Sequence, residues 1–476
     1  MIDIHSRKDQ HIAVFGLGAS GLAAARALAA SGADIEAWDD NSDQRRTASD
    51  LGIRLTTPSD MAFGQLDALV LAPGIPLTHK PHAIVEQARA TDRPIIGDIE
   101  LLVEACPQAR FIGITGTNGK STTTALLGHI LVQAGYAPQI GGNLGPPVLD
   151  FEPPEPGGLM VLELSSYQLD LTEHAIFDIA ILLNLSPDHL DRHGGMDGYI
   201  AAKRRIFRER PDDKTVRTAI IGVDDRLSCA VRDDLAGVGH WTIISVSGER
   251  TLDSGVYVTN GTLFDAIGAA ARPVCDISAI ATLPGSHNWQ NAAAAYAAAR
   301  TLGVPPDDIA DALATYPGLP HRAELVATIG TVRYINDSKA TNAEAVARAI
   351  ASYAAIYWIA GGQAKDDKLD GITPFASNIR HAFLIGDAAA AFAESLRGKV
   401  DITLCGDLET AVARASDAAL LDGSEDAVVL LSPACASFDQ FAHFEARGDA
   451  FRIFVEALPA GPSGGADGGQ PGGRPS

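Results

Sequence analysis

The chain has 476 residues, 46% of them hydrophobic and 20% charged, with 37 Lys and Arg against 59 Asp and Glu for a formal charge of −22. This composition excludes wholesale disorder, the length suggests roughly three domains, and so acidic a surface argues against nucleic acid as the main partner while leaving room for small anions in a backbone cradle. No apolar run approaches a membrane span, the start MIDIHSRKDQ lacks the apolar core of a secretory signal, and five scattered cysteines match neither a disulfide framework nor a zinc site, so a cytoplasmic chain is expected.

The first hundred residues alternate apolar runs with amphipathic stretches: HIAVFG (11–16), a helical pattern over 20–30, DIEAWD (34–39) and DALVLAPG (67–74). This βαβ rhythm predicts a parallel sheet. The segment TDRPIIGDIE reads as a joint, with a boundary near Asp98. A second α/β unit opens with ARFIGIT (109–115) and continues through LMVLEL (159–164), IAILLNL (179–185) and TAIIGV (218–223); short strands with Gly and Asn-Gly turns fill about 241–280, and an alanine-rich helix is predicted within 283–303. After YPGLPHR (316–322) strict alternation returns with TVRYIND, AIYWIAGG, HAFLIGD, DITLCGD and AVVLLSP. The expected division is 1–98, 99–318 and 319–460, with the Gly/Pro-rich 461–476 as a disordered tail.

Gly16-Leu17-Gly18-Ala19-Ser20-Gly21 falls between a strand and a helix, where glycines permit a tight turn and backbone amides can meet a pyrophosphate. Asp39 and Asp40 close the next strand at the spacing of a ribose-binding acid, and the pattern alone fits NAD, FAD or a uridine diphosphate. More specific is Gly116-Thr117-Asn118-Gly119-Lys120-Ser121-Thr122, also between strand and helix. Its amides form an anion nest, Lys120 brings a point charge to the outer phosphates and Ser121 can ligate Mg²⁺, which together read as an ATP site. The string departs from strict GxxxxGK[ST], because Ile114 stands where the first glycine would be. Glu163, ending its strand, suits the metal-holding carboxylate; Asp188 and His189 offer further ligands, although a lone histidine there is more commonly structural. By spacing alone, Lys203 beside Arg204 and Arg205 reads as a solvated basic face. Phe438, Phe441, Phe444 and Phe451 are expected to share one helix as a core stripe.

Taken together, TGTNGKST, GGNLG (141–145), LELSSYQLD (162–170), SPDHLDRH (186–193), AAKRRIF, GSHNWQNA (285–292), LPHRAE (319–324), INDSKATN (335–342) and SPACASFDQF (432–441) resemble the Mur ligase superfamily, and the third unit resembles its D-glutamate-adding members. The resemblance implies three α/β domains: an N-terminal Rossmann-like domain for a uridine diphosphate, a central P-loop ATPase domain, and a C-terminal Rossmann-like domain for the amino acid. It implies an ATP-dependent amide ligase joining D-glutamate to UDP-N-acetylmuramoyl-L-alanine through an acyl phosphate. Lys120, Glu163, His189 and Lys203 then become catalytic groups. Ser121, Glu163, His189 and a carbamylated Lys203 would hold two Mg²⁺ ions, a reversal of the basic-face reading. Gly18, Ser20, Gly21, Asp39, Gly74, Asn143, Ser165 and Gln168 fall to the UDP substrate, and Asn288, Asn291, Arg322 and Asp337 join the phosphate loop in holding ATP. Thr341, Lys365, Ser437 and Phe444 match D-glutamate contacts, with Lys368 a rival to Lys365. A monomer without nucleic acid or membrane partner is expected. A nicotinamide dehydrogenase, suggested by the first hundred residues alone, a sister ligase and a non-catalytic nucleotide-binding scaffold are the competing classes.

Overall fold

The apolar runs become strands of three sheets in a computed structural model of the chain, which describes residues 1–459 apart from 211–212, 238–239, 269, 365–368 and 425. The chain forms two units, Met1–Tyr316 and a second beginning at Pro317. In the first unit, β1 (His11–Phe15), β2 (Asp34–Trp38), β3 (Ala68–Leu71) and β4 (Ile95–Ile96) form a parallel sheet in the order β2-β1-β3-β4. The helix Ala19–Ala30 packs its buried alanines and Leu28 on this sheet. The segment read as a joint carries β4 and the start of the helix Asp98–Ala105.

A larger sheet of the same unit contains β5 (Arg110–Thr115), β6 (Gln139–Gly142), β7 (Leu159–Glu163), β8 (Ile179–Leu182), β9 (Arg217–Gly222), β10 (Trp241–Ser247), β11 (Gly255–Thr259), β12 (Thr262–Ala266) and β13 (Arg272–Asp276). Its order is β13-β12-β11-β10-β9-β8-β5-β7-β6. Pairing is parallel from β6 to β11, and the last strands reverse direction at Asn260-Gly261, both with positive φ (49° and 77°) as a tight hairpin requires. Strands β5, β7 and β8 are buried on both faces, which explains their unbroken apolar character. On one face lie the helices Lys120–Gln133 and Ser286–Thr301, where the buried run Ala292–Ala299 lets backbones approach closely. On the other, Phe111, Met160, Leu162 and Phe177 share a core with Ile12 and Val14 of β1, which makes the two sheets one unit.

In the second unit, β14 (Glu324–Ile329), β15 (Val332–Asn336), β16 (Ala355–Gly361), β17 (Ile379–Ile385), β18 (Ile402–Gly406) and β19 (Ala427–Leu431) run in the order β14-β15-β19-β16-β17-β18. Only the β14 edge pairs antiparallel. Ligand-bearing loops of such sheets follow the carboxyl ends of the strands. Here the loops after β15 and β19 are neighbours by sheet order.

Candidate active site

Gly16 has φ +89°, and a Cβ there would meet the Cβ of Ala72 at 2.6 Å; one on Gly21 would meet the Gly16 carbonyl oxygen at 1.8 Å. These two glycines are therefore required by packing between turn, helix and β3. Gly18 and Gly74 have nothing within 4 Å of such a Cβ. They border a cleft of 430 Å³ whose walls also include Ser20, Gly21, Asp39, Asn143 and Gln168. Of the side chains expected to contact the UDP substrate, Ser165 does not line this cleft. Its hydroxyl accepts from Gln168 N (3.2 Å) and caps the helix Ser166–Asp170, with Gln168 answering reciprocally. Asp39 lines the cleft while its carboxylate accepts from Leu17 N (2.5 Å) and Asn41 N (2.7 Å), so it fixes the glycine turn.

The phosphate loop leaves β5, and strand order puts β7 and β8 on either side of it. Gly119, the N-cap of Lys120–Gln133, has φ +84°, and Asn291 Oδ1 lies 2.1 Å from where its Cβ would be. Lys120 Nζ donates to the carbonyls of Gly116 and Thr117, both at 2.9 Å, within its own loop. Asn184, just beyond β8, holds that loop: its carbonyl accepts from Thr117 N (2.9 Å), its Oδ1 from Asn118 N (2.9 Å), and its amide donates to Asn118 O (3.2 Å). Sequence reasoning missed Asn184 because its partners are distant in the chain. Ser121 and Thr122 are buried at the start of the helix, and Asn291 donates to Asn288 Oδ1 (3.3 Å), which places two expected nucleotide residues against the loop.

Glu163 ends β7 and is buried; Oε1 accepts from Asn143 Nδ2 at 2.7 Å, while Oε2 has no hydrogen-bond partner among the described residues. Lys203 is also buried, 1% exposed, and donates to Gly116 O (2.8 Å) and Thr115 Oγ1 (3.2 Å) behind the phosphate loop. The solvated-face reading is thus overturned for this residue. Burial, reinforced by the nearby Lys120 charge, drives its pKa well below the ordinary lysine value, against the opposing pull of Asp188 and Glu163. His189 is half exposed, adopts left-handed φ (52°), faces Asp188 at 3.4 Å and packs at a tilt against the Tyr167 ring, with centroids 5.0 Å apart. Among the described residues no group of three or more His, Cys, Asp or Glu converges to hold a metal unaided. A hard cation at this loop would need phosphate oxygens besides Glu163 and Ser121, and Mg²⁺ commonly binds in that way.

In the second unit Arg322 stands between His321 and Ala323, both at positive φ (59° and 45°). Asn336 Nδ2 contacts His321 Nδ1 (3.0 Å), and Ala323 N donates to Asp337 Oδ1 (3.2 Å), contacts that hold this strained turn. Burial raises the Asp337 carboxyl to about 6, opposed by Ser432, Arg322 and the Ala323 amide. Arg447, fully buried, ties the two neighbouring loops by donating to Ser338 Oγ (2.9 Å), Ser338 O (2.9 Å) and Cys435 O (3.0 Å). Ser437 is buried on the second of these loops, its hydroxyl without a partner among the described residues, and Thr341 is half-buried on the first. Phe444 begins its helix, Phe444–Glu456, so Phe438 and Phe441 precede it and do not form the expected one-helix stripe; Phe438 is 67% exposed. Lys339, which sequence reasoning passed over, has its ammonium 4.0 Å from the Phe444 ring centroid. Lys365 and Lys368 lie outside the described residues, as does the 461–476 segment.

Residues 114–299 match the Mur ligase middle domain, and 321–435 match the Mur ligase glutamate ligase domain. The chain is 50% identical over 468 residues to the UDP-N-acetylmuramoylalanine–D-glutamate ligase of Caulobacter vibrioides, covering 97% of this chain and 98% of that protein. The chain belongs to the Mur ligase family. The like-named protein of Paramagnetospirillum magneticum is 50% identical over 464 residues, with coverage of 97% and 99%. Solved Mur ligase structures share the fold at lower identity. The UDP-N-acetylmuramate-alanine ligase of Thermotoga maritima gives a TM-score of 0.55 at 16% identity, covering 94% of this chain and 98% of its own. MurF of Acinetobacter baumannii gives 0.54 at 18%, covering 81% and 90%. Among the described residues of this Mur ligase, no helix is long and apolar enough to cross a membrane.

Proposed function

We infer that this Mur ligase is the ATP-dependent enzyme that adds D-glutamate to UDP-N-acetylmuramoyl-L-alanine, forming the amide through an acyl phosphate. In this reading residues 1–98 serve the uridine diphosphate, 99–318 ATP, and 319–460 the amino acid. One observation carries it: Asn143 lines the cleft beside the Gly16–Gly21 turn and also donates to Glu163 on the strand next to the phosphate loop. A UDP-linked acid held in that cleft would extend toward the phosphoryl-transfer machinery.

A carboxylate does not acylate an amine until one of its oxygens becomes a leaving group. The substrate carboxylate attacks the γ-phosphorus of ATP, the bond to the β,γ-bridging oxygen breaks, and ADP departs. The D-glutamate amine then attacks the acyl carbon, loses a proton, and expels phosphate. Lys120 and the loop amides hold the anionic phosphates in a fixed, partly dehydrated setting, where donors need not reorganise during the reaction. Glu163 Oε2, buried and lacking a partner among the described residues, suits a divalent cation. Glu163, Ser121, His189 and a carbamate on Lys203 are the groups that would hold two Mg²⁺ ions. Bound Mg²⁺ supplies charge neutralisation to the transferring phosphoryl group. The carbamate reading draws support from Lys203's burial and depressed pKa, since only the neutral amine attacks CO₂, forming the N–C bond and releasing a proton.

The test offers the purified chain UDP-N-acetylmuramoyl-L-alanine, ATP and Mg²⁺ with a panel of amino acids that includes both glutamate enantiomers. D-glutamate alone should trigger stoichiometric ADP and amide formation. Equal response to L-glutamate or a diamino acid, or product without a triphosphate, refutes the assignment.

A further inference from the structure

Arg192 lies on the short helix Leu190–His193, three positions beyond His189. Its guanidinium donates to the main-chain carbonyls of Pro73 (3.1 Å), Gly74 (3.4 Å) and Ile75. Those three residues follow β3 and form part of the cleft wall. The same guanidinium lies over the Tyr167 ring, 4.8 Å from its centroid, and the Tyr167 ring in turn meets His189 at a tilt, with centroids 5.0 Å apart. Neighbouring contacts reinforce the junction: Thr78 Oγ1 donates to buried Asp170 (2.9 Å), and a Cβ on Gly194 would lie 2.9 Å from His79 Nδ1. The wall of one sheet's cleft is thus gripped by the segment that carries His189 on the other.

The peptide group is planar and trans, so the carbonyl of Pro73 and the N–H of Gly74 point in opposite directions. Anchoring the carbonyl to Arg192 aims the Gly74 N–H away from the arginine. That N–H has no acceptor among the described residues, and a Cβ on Gly74 would have nothing within 4 Å. A charged fork that holds successive carbonyls fixes the peptide planes of a segment that lines the cleft without itself contacting what binds there.

We propose that Arg192 is a positioning residue for the UDP-sugar substrate, which fixes the Pro73–Ile75 wall and orients the Gly74 amide toward a ligand oxygen. The proposal rests on the reading of this cleft as the UDP-substrate site. Lysine cannot reproduce it, because a single ammonium cannot span the carbonyls as a planar guanidinium does.

The experiment measures calorimetric binding of UDP-N-acetylmuramoyl-L-alanine, without ATP or Mg²⁺, to the wild-type chain, Arg192→Lys and Arg192→Met. ADP binding is measured in parallel, and amide exchange is followed over residues 72–79. Both variants should bind the UDP substrate about tenfold more weakly or worse, from loss of charge-assisted hydrogen bonds, with ADP affinity unchanged and faster exchange in 72–79. Wild-type affinity in Arg192→Lys, or equal losses for UDP substrate and ADP in either variant, overturns the positioning role while leaving the cleft reading intact. A wild-type chain that does not bind the UDP substrate overturns the cleft reading, and the proposal with it. Arg192→Lys retains charge and stem, and decides the matter if Arg192→Met does not fold.

Discussion

Replacing Gly119 with alanine separates two costs at the phosphate loop. The first is the left-handed backbone at φ +84°, about 1–2 kcal/mol for a residue with a Cβ. The second is steric: the new methyl would lie 2.1 Å from Asn291 Oδ1 and 2.9 Å from its Cγ, so that buried amide must move and lose its bond to Asn288. Leaving a buried polar group unsatisfied costs about 1–3 kcal/mol, so the single substitution should cost about 2–5 kcal/mol locally. In an Asn291→Ala background the steric part vanishes and only the backbone part remains. The double-mutant cycle should therefore give a coupling of about 1–3 kcal/mol. Amide exchange of the helix Lys120–Gln133 is the suitable assay, because it reads local opening in a chain that need not unfold in one step. If Gly119→Ala costs the same with and without Asn291, the close approach does not constrain the loop and the reasoning fails.

Lys203→Ala should lose ATP-dependent phosphate release and regain part of it on addition of a short carboxylate; unaltered turnover removes the carbamate reading. Asp337 titrates near 6 in the folded chain, above the ordinary carboxylate value of about 4. The native state therefore holds the extra proton between these values, and unfolding free energy falls as pH rises from about 4 to 6, by up to about 3 kcal/mol. Asp337→Asn should flatten that part of the stability profile and be the more stable protein at pH 7, and denaturation curves that stay parallel across the window refute this. Glu100, buried, accepts from the amides of Glu173, His174 and Ala175. Glu100→Ala should lower stability by about 3 kcal/mol or more through stranded donors, with Glu100→Gln milder, and an unchanged melting temperature would argue against that role.

What the sequence disclosed was chemistry that is local in the chain. The phosphate loop was legible because positive φ and close backbone approach demand glycine at Gly116 and Gly119, whatever surrounds them. The alternation of strands was legible because β5, β7 and β8 are buried on both faces. The short strands β4 and β6 were not, since two residues at Ile95–Ile96 carry no period and Gln139–Gly142 ends in two glycines rather than an apolar run. Lys203 was misread from its basic neighbours. Yet Tyr199, Ala202 and Lys203 are the buried residues of the helix Met196–Arg204, at i, i+3 and i+4, while Arg204 pairs with Asp234 on the surface. A helical count outward from Tyr199 was the available signal.

Other groups have no signal in their own segment. Asn184 grips a loop 66 positions earlier, and Arg192 grips carbonyls as far as 119 positions earlier. Carbonyls have no side-chain identity, so a residue that recognises them leaves no complementary letter at the other end. The join between cleft and phosphate loop is of this kind on one side only. Asn143 and Glu163 each appear in a recognisable string, but their 2.7 Å bond follows from β6 and β7 being neighbours in the sheet. That pairing brings the two strings together, and in the proposed reading it fixes how far a substrate's acid end would lie from the strand flanking the phosphate loop.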